Sequence, residues 1–256
     1  MIKENEEKIL GILKEDDLVL DIGGWDKPFN RANYVLDIHP YKTRGFHGTQ
    51  GGDKEYFNKK TWVIHDLSSK KKFPFKDKQF DFVICSHVLE DIRDPIWLCS
   101  ELIRISKRGY IEFPSVYSEL TKGYDNNNYT GYYHHRWLIE IKNKKIIFRF
   151  KPHFIHGDKR YYLPRTYLRK LSEKEINSFL FWKDNFYFAE VIQISRDKLK
   201  RHINELIKSK GYRKNITFLL DSLDKIRLNY KKFKKIFIKN SYCPRYMGTR
   251  EFYSTV

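Results

Sequence analysis

Cysteine is scarce in this chain: Cys85, Cys99 and Cys243 are the only three among 256 residues. They are odd in number and widely spaced, which excludes a disulfide framework and gives no support to a cysteine-bound zinc. Apolar runs are short, far below the roughly 20 residues that a membrane span needs. The first residues, MIKENEEKIL, are charged and lack an apolar signal core, so a reducing cytoplasm is the expected location. No internal repeat is visible. Acidic residues are outnumbered, with 32 Asp and Glu against 50 Lys and Arg and a formal net charge of +18. That surplus suits an anionic partner such as nucleic acid, a nucleotide-linked substrate or a lipid surface. Lysines spread along the chain fit solvated faces equally well. The most concentrated basic stretch is 225–239, KIRLNYKKFKKIFIK.

What the chain does contain is enough for a full core in one or two domains: 41% hydrophobic and 16% aromatic residues argue against disorder. Its organising stretch is 18–37, LVLDIGGWDKPFNRANYVLD. It reads as strand, glycine turn, connection, strand, acid. Glycines at Gly23 and Gly24 let backbone approach a ligand at the end of the first strand. An acid at the tip of the second, Asp37, can accept hydrogen bonds from both ribose hydroxyls. A nucleoside-containing cofactor is therefore expected, without saying which.

Taken in order, residues 2–14 form a short amphipathic helix expected to cover an edge of the sheet. Strands fall at about 17–22, 33–38 and 62–64, and a glycine-rich loop spans 39–61, long enough to be functional or mobile. Phe80 to Cys85 is almost unbroken apolar sequence, as in a central parallel strand buried on both faces. Pro95 opens a helix to Ser106, and Tyr110 to Phe113 is a fifth strand. This alternation predicts an α/β fold: a doubly wound, Rossmann-like, mostly parallel sheet with helices on both faces and helical and β additions after it. Ligands of such sheets sit at the carboxyl ends of the strands near the point where strand order reverses. The Tyr- and Asn-rich stretch at about 114–137 reads as a lid. Leu138 to Ile141 and Lys145 to Phe150 read as a hairpin around Asn143-Lys144. Residues 160–182 are expected to be helical, with a capping box at Ser172 to Glu175. A late strand is placed at 186–194, helices at 195–210 and 217–239, and a tail from Ser241. The division expected is 1–150 for the cofactor-binding domain and 151–256 for an α-rich extension on it.

The motifs resemble class I S-adenosylmethionine-dependent methyltransferases, in particular the methyltransferase type 11 group. The resemblance covers about residues 15–150. It rests on Val19-Leu20-Asp21-Ile22-Gly23, on Val35-Leu36-Asp37, on His65-Asp66-Leu67, and above all on 80–90, FDFVICSHVLE, followed by Asp94-Pro95. It also resembles bacterial members that share Gly109-Tyr110-Ile111-Glu112 and a later His135-Arg136-Trp137, some of them similar to proteins of surface-polysaccharide clusters. The resemblance implies S-adenosylmethionine as cofactor and S-adenosylhomocysteine as product. It implies cofactor contacts at Asp21, Gly23, Gly24, Trp25, Asp37, Ile38, Asp66, Leu67, Ser86 and His87, with Asp66 on the adenine amino group. Two departures stand out. Trp25 occupies the place of a family glycine, so the turn closes differently or the indole lies over the methionine end. Asp91 stands where a histidine often follows Leu-Glu.

Methyl transfer from a sulfonium is an in-line displacement in which positioning contributes much of the rate. A hydroxyl acceptor also needs a base, for which His87, His134, His135 and Glu90 are candidates. Arg136 can hold a phosphate or carboxylate through paired hydrogen bonds, or merely pair with Glu140. Tyr132 and Tyr133 can stack on a sugar or base, or pack the lid. A metal is not expected, because the spacing of His65, His87 and His135 fits no ligand pattern. The leading expectation is O-methylation of a small anionic or glycan-linked acceptor in capsule biosynthesis, a phosphoramidate among the options. The alternatives are an RNA or DNA methyltransferase and a non-catalytic cofactor-binding partner subunit. Against the nucleic-acid reading, strand four ends in Cys-Ser-His-Val and not in an Asn/Asp-Pro-Pro-aromatic motif.

Overall fold

The computed structural model describes residues 1–192, 194–209, 222, 223, 226, 227 and 230. In chain order the elements are α1 (Lys3–Ile12), β1 (Val19–Ile22), β2 (Tyr34–Asp37), β3 (Trp62–Ile64), β4 (Phe82–Ser86), α2 (Pro95–Ile105), β5 (Arg108–Pro114), α3 (Val116–Glu119), β6 (Trp137–Lys142), β7 (Lys145–Phe150), α4 (Glu173–Ile176), β8 (Asn177–Lys183), β9 (Tyr187–Glu190) and α5 (Arg196–Ser209). Six strands make one sheet in the order β3-β2-β1-β4-β5-β8; the first five are parallel and β8 is antiparallel to β5. Strand order therefore reverses between β1 and β4, whose carboxyl ends lie side by side in the register Ile22↔Cys85. The expected α/β sheet is present.

Alternation along the strands sorts their side chains to two faces. Leu20, Ile22, Val83, Cys85, Ile111 and Phe113 pack with Leu98, Cys99, Leu102 and Ile105 of α2. Val19, Phe82, Ile84 and Tyr110 gather on the other face around Ile9 of α1. Each helix has a local cause. In α2, Asp94 Oδ1 accepts the Trp97 N–H at 2.9 Å, and Pro95 sits in the first turn where its missing N–H is no loss. In α1, the buried Asn5 donates to the Tyr110 hydroxyl at 2.8 Å and the Ile2 N–H to Glu112 Oε2 at 3.0 Å. These anchors draw α1 over a face of the sheet and not along its edge. The remaining connections between parallel strands are loops, with one 3₁₀ turn at Tyr41–Thr43. The glycine-rich loop 39–61 is tied down: the Gly51 N–H donates to Glu6 Oε1 at 2.6 Å, and a Cβ at Gly51 would lie 2.4 Å from the Phe29 ring.

Past β5 the hairpin forms as expected. Asn143 and Lys144 both carry positive φ, 50° and 60°, as a two-residue hairpin turn demands. The helix expected over 160–182 is replaced by a 3₁₀ stretch at Arg165–Lys170, the single turn α4 with its capping box, and the strand β8. The sequence NSFLFWK is rich in aromatics, and the unpaired edge of β5 supplies a full antiparallel ladder from Arg108↔Lys183 to Pro114↔Asn177. Tertiary pairing decides the outcome for such a segment. A strand from the expected extension thus completes the main sheet. β9, shorter than its expected span, adds to the hairpin beside β7, and α5 buries Leu199, Ile203 and Ile207 with Val116, Leu120 and Leu138. Of the expected helix 217–239, positions 222, 223, 226, 227 and 230 are helical; the rest of it, with the remainder of the basic run and the tail, lies outside the described residues.

Candidate functional site

The glycine turn closes against its own acid. Asp21 is buried, and its Oδ2 accepts the Phe29 N–H at 2.9 Å. Burial pushes its carboxyl up to about 7 despite that bond. A Cβ on Gly24 would sit 2.3 Å from Asp21 Oδ2, so no side chain fits there. Gly23 has φ +72°, and a Cβ on it would meet Val88 at 2.4 Å. Asp37, also buried, accepts the Trp25 N–H at 3.1 Å on one oxygen and the His39 N–H at 2.8 Å on the other. Its carboxyl is raised by burial, which outweighs these two bonds.

Trp25 points away from the first strand. Its Nε1 donates to Thr43 Oγ1 at 3.0 Å, and its ring lies 4.1 Å from that of His39. The turn therefore closes toward the strand-two exit. Beside Asp37 two large apolar side chains face solvent: Ile38 at 57% exposure, and Ile64, its neighbour's ladder partner, at 62%. An apolar notch of about 270 Å³ opens here, lined by Pro40, Tyr41, Lys42, Lys59, Trp62 and Ile64. Asp66 is exposed with Oδ1 on the Ser68 N–H at 2.8 Å, and Leu67 is partly buried.

At the end of β4 lies an ionic clamp. His87 has φ +56°, a left-handed conformation. Its Nε2 is 3.2 Å from Glu112 Oε1 and its Nδ1 is 3.3 Å from Glu90 Oε1. Desolvation opposes its charge, but the two carboxylates win and hold the imidazole at about 9. Glu112 is fully buried; desolvation is outweighed by His87, the N-terminal ammonium, the Ile2 N–H and the Tyr110 hydroxyl, which hold it at about 2. Ser86 Oγ reaches the same carboxylate at 3.5 Å. In His87, a candidate base by sequence, both ring nitrogens face carboxylates that favour the charged imidazole, which works against its taking a proton. A positive group between two acids, it fixes the β4–β5 rim.

The other candidate histidines meet Asp91. His134 Nε2 and His135 Nε2 lie 3.7 and 3.8 Å from Asp91 Oδ1. His135 is buried, and its Nδ1 is 2.6 Å from Glu119 Oε1. The other oxygen of Glu119 takes Lys151 Nζ at 2.5 Å, and Lys151 also donates to the Tyr132 carbonyl at 2.7 Å. Burial pushes Asp91 up to about 6, with Glu90 adding to it, and lowers His134. The Asp-for-His departure at position 91 is therefore met in space by two histidines from the loop before β6. Tyr132 stacks on His135 with ring centroids 4.3 Å apart, and Tyr133 stands exposed. The Arg136 backbone N–H donates to the Glu90 carbonyl at 2.8 Å, while its exposed guanidinium has no hydrogen bond or ion pair among the described residues. Glu140 instead pairs with Arg149, Lys142 and His202.

His65, His87 and His135 do not come together: His65 bonds the Lys71 carbonyl at 3.0 Å, away from both others' partners. Glu119 and Lys151 escape sequence reading altogether. They lie 32 residues apart with no motif joining them, and only the fold pairs them.

The sequence family described as methionine biosynthesis protein MetW matches residues 3–121. No curated protein matches the chain. Among solved structures, it is similar to an S-adenosylmethionine-dependent methyltransferase from Mesorhizobium loti, at 17% identity over 57% of this chain and 64% of that one, with a TM-score of 0.33. It is similar also to one from Methanosarcina mazei, at 20% identity over 42% and 57% with a TM-score of 0.32. A third, from Aquifex aeolicus, shares 19% identity over 44% and 65% with a TM-score of 0.29. The chain spans less than two thirds of the length of each.

Proposed function

We propose that the chain is an S-adenosylmethionine-dependent methyltransferase that O-methylates a small anionic or glycan-linked acceptor. One observation carries the reading: the glycine turn and the two acids Asp21 and Asp37 converge on the carboxyl rim of β1 and β2, beside the switch point, with no room for a side chain at Gly24. This is the place and the chemistry for a nucleoside cofactor.

The residues fit such a group. Asp37 keeps lone pairs beyond those given to Trp25 and His39, enough for the ribose hydroxyls. The solvent-facing Ile38 and Ile64 offer apolar walls for a purine, and Asp66 an acceptor for its amino group. Asp21 and the backbone of Gly23 and Gly24 suit an amino-acid end. When bound, S-adenosylmethionine supplies a methyl group already activated on a sulfonium. Ser86 and the charged His87 form the rim at that point, and their role is to shape it.

The acceptor side is the face of Tyr132, Tyr133, His134 and Arg136. The free guanidinium of Arg136 favours an anionic acceptor, held as a planar fork holds phosphate or carboxylate. The aromatic rings suit a sugar. The proton of a hydroxyl acceptor leaves toward the Asp91, His134 and His135 group. A place in surface polysaccharide assembly, with a phosphoramidate as one acceptor, rests on the resemblance of the motifs.

The test is calorimetric titration of the intact chain, Asp37→Asn and Asp37→Ala with S-adenosylmethionine and S-adenosylhomocysteine, with melting curves to show that the variants fold. Both ligands are expected to bind the intact chain, and Asp37→Asn to bind at least tenfold more weakly. An intact chain that binds neither ligand overturns the reading.

A further inference from the structure

A buried oxygen without a partner marks a second site. Asp91 Oδ1 has essentially no exposed surface and accepts no hydrogen bond among the described residues. Unpaired buried acceptors are rare because they forfeit their hydration. Facing this oxygen are two imidazole nitrogens, His134 Nε2 at 3.7 Å and His135 Nε2 at 3.8 Å, and all three atoms lie within 4.8 Å of one another.

A proton does not account for this arrangement. An N–H···O bond spans about 2.7–3.2 Å, and both gaps are longer. Behind His135, Nδ1 lies 2.6 Å from Glu119 Oε1, the geometry of an Nδ1–H donated to the carboxylate, and Lys151 holds Glu119 in place. The Nε2 lone pair is then left pointing at a carboxylate oxygen. Two lone pairs facing each other across such a gap call for a cation between them. Two metal–ligand bonds of about 2.0–2.1 Å place ligand atoms about 3.3 Å apart in a tetrahedron, so inward shifts of about half an ångström close each of the two gaps between a histidine and Asp91. The carboxylate behind a ligating histidine is a regular partner in metal sites.

We propose that Asp91, His134 and His135 bind one divalent transition-metal ion, zinc being the first choice for two imidazoles and a carboxylate, with Glu119 and Lys151 as positioning residues. This trio differs from the histidines that sequence spacing set aside. Three protein ligands leave a coordination position open for an oxygen, as catalytic zinc sites do. The role assigned to that position rests on the methyltransferase reading and replaces direct proton transfer to the histidines, whose lone pairs the metal takes: the position holds the acceptor hydroxyl oxygen and lowers its pKa, and the released proton passes to water.

The full chain, freed of metal with a chelator and dialysed, is titrated with Zn²⁺ by calorimetry and with Co²⁺ by visible absorption. One equivalent is expected to bind at micromolar affinity or tighter, with Co²⁺ giving d–d bands of a low-coordinate site. His134→Ala, at a half-exposed position, and Asp91→Asn are expected to lose at least a hundredfold in affinity while keeping the melting curve of the intact chain. Glu119→Gln is expected to lose about 10–100-fold. An intact chain that takes no equivalent of either ion overturns the site, as does equal binding by Asp91→Asn and His134→Ala. S-adenosylhomocysteine is titrated into the same samples. Metal binding without cofactor binding supports the site and removes the methyltransferase reading; cofactor binding without metal does the reverse.

Discussion

Replacing Gly24 by alanine tests whether the turn is closed by sterics or by backbone conformation. The added Cβ would stand 2.3 Å from Asp21 Oδ2, 2.8 Å from its Cγ and 3.1 Å from Val35 Cγ1. The carboxylate cannot swing aside freely, because it is buried and holds the Phe29 N–H at 2.9 Å. Either the turn opens, an overpacking strain of about 1–3 kcal/mol, or Asp21 moves and strands a buried N–H at about 1–3 kcal/mol. The variant should therefore lose about 1–3 kcal/mol, roughly 2–12 °C of melting temperature for a chain of this size. With Asp21→Ala the obstructing atoms vanish and Val35 is the nearest contact left. In that background Gly24→Ala should cost no more than about 1 kcal/mol, giving a coupling of up to about 2 kcal/mol in a double-mutant cycle by denaturant unfolding. A coupling below about 0.5 kcal/mol would refute the steric account.

The His87 clamp should show in the alkaline limb of stability. Its folded pKa, about 9, lies above the ordinary 6.5, so its contribution is complete below about 6.5 and fades as pH rises through 9. With the side chain 41% exposed, solvent screens the pair and the loss stays below about 2 kcal/mol; His87→Gln should flatten that limb in melting curves from pH 6 to 10, and an unchanged limb would assign it to other groups. Lys151→Met should destabilise by about 3–5 kcal/mol, since it leaves the buried Glu119 carboxylate with His135 alone. Adding Glu119→Gln should recover part of that loss in urea unfolding, and no recovery would mean that Lys151 acts through packing.

The parallel strands and their acids were legible because each is a local pattern: a short apolar run, then glycine or carboxylate at the rim. Asn143-Lys144 announced the hairpin in the same way. The strand β8 was not legible. Its aromatic heptad suits helix or strand, and the free edge of β5, far away in sequence, made the choice. The site divides along the same line. Asp21, Gly24 and Asp37 could be placed from spacing alone. The charge on His87 could not, because it depends on Glu112 of the neighbouring strand. Nor could the meeting of Asp91 with His134 and His135, or the Glu119–Lys151 pair behind them, since no fixed interval in a sequence encodes a contact made by folding.

The ladder between β5 and β8 has a consequence for how the chain reaches this state. It closes an excursion of roughly 60 residues, which carries α3, the histidine loop and the hairpin, and the neck is stitched by Ser115 Oγ on the Glu175 carbonyl and Ser118 Oγ on the Ile176 carbonyl, both at 2.6 Å. A long loop pays its closure entropy before its contacts repay it, so the part from β1 to β5, built from near neighbours, should condense first. The histidine loop becomes ordered only when β8 docks. Its amide protons should then exchange with solvent in step with those of β8 and not of β4, which makes the loop before β6 part of a separately opening unit of the same molecule.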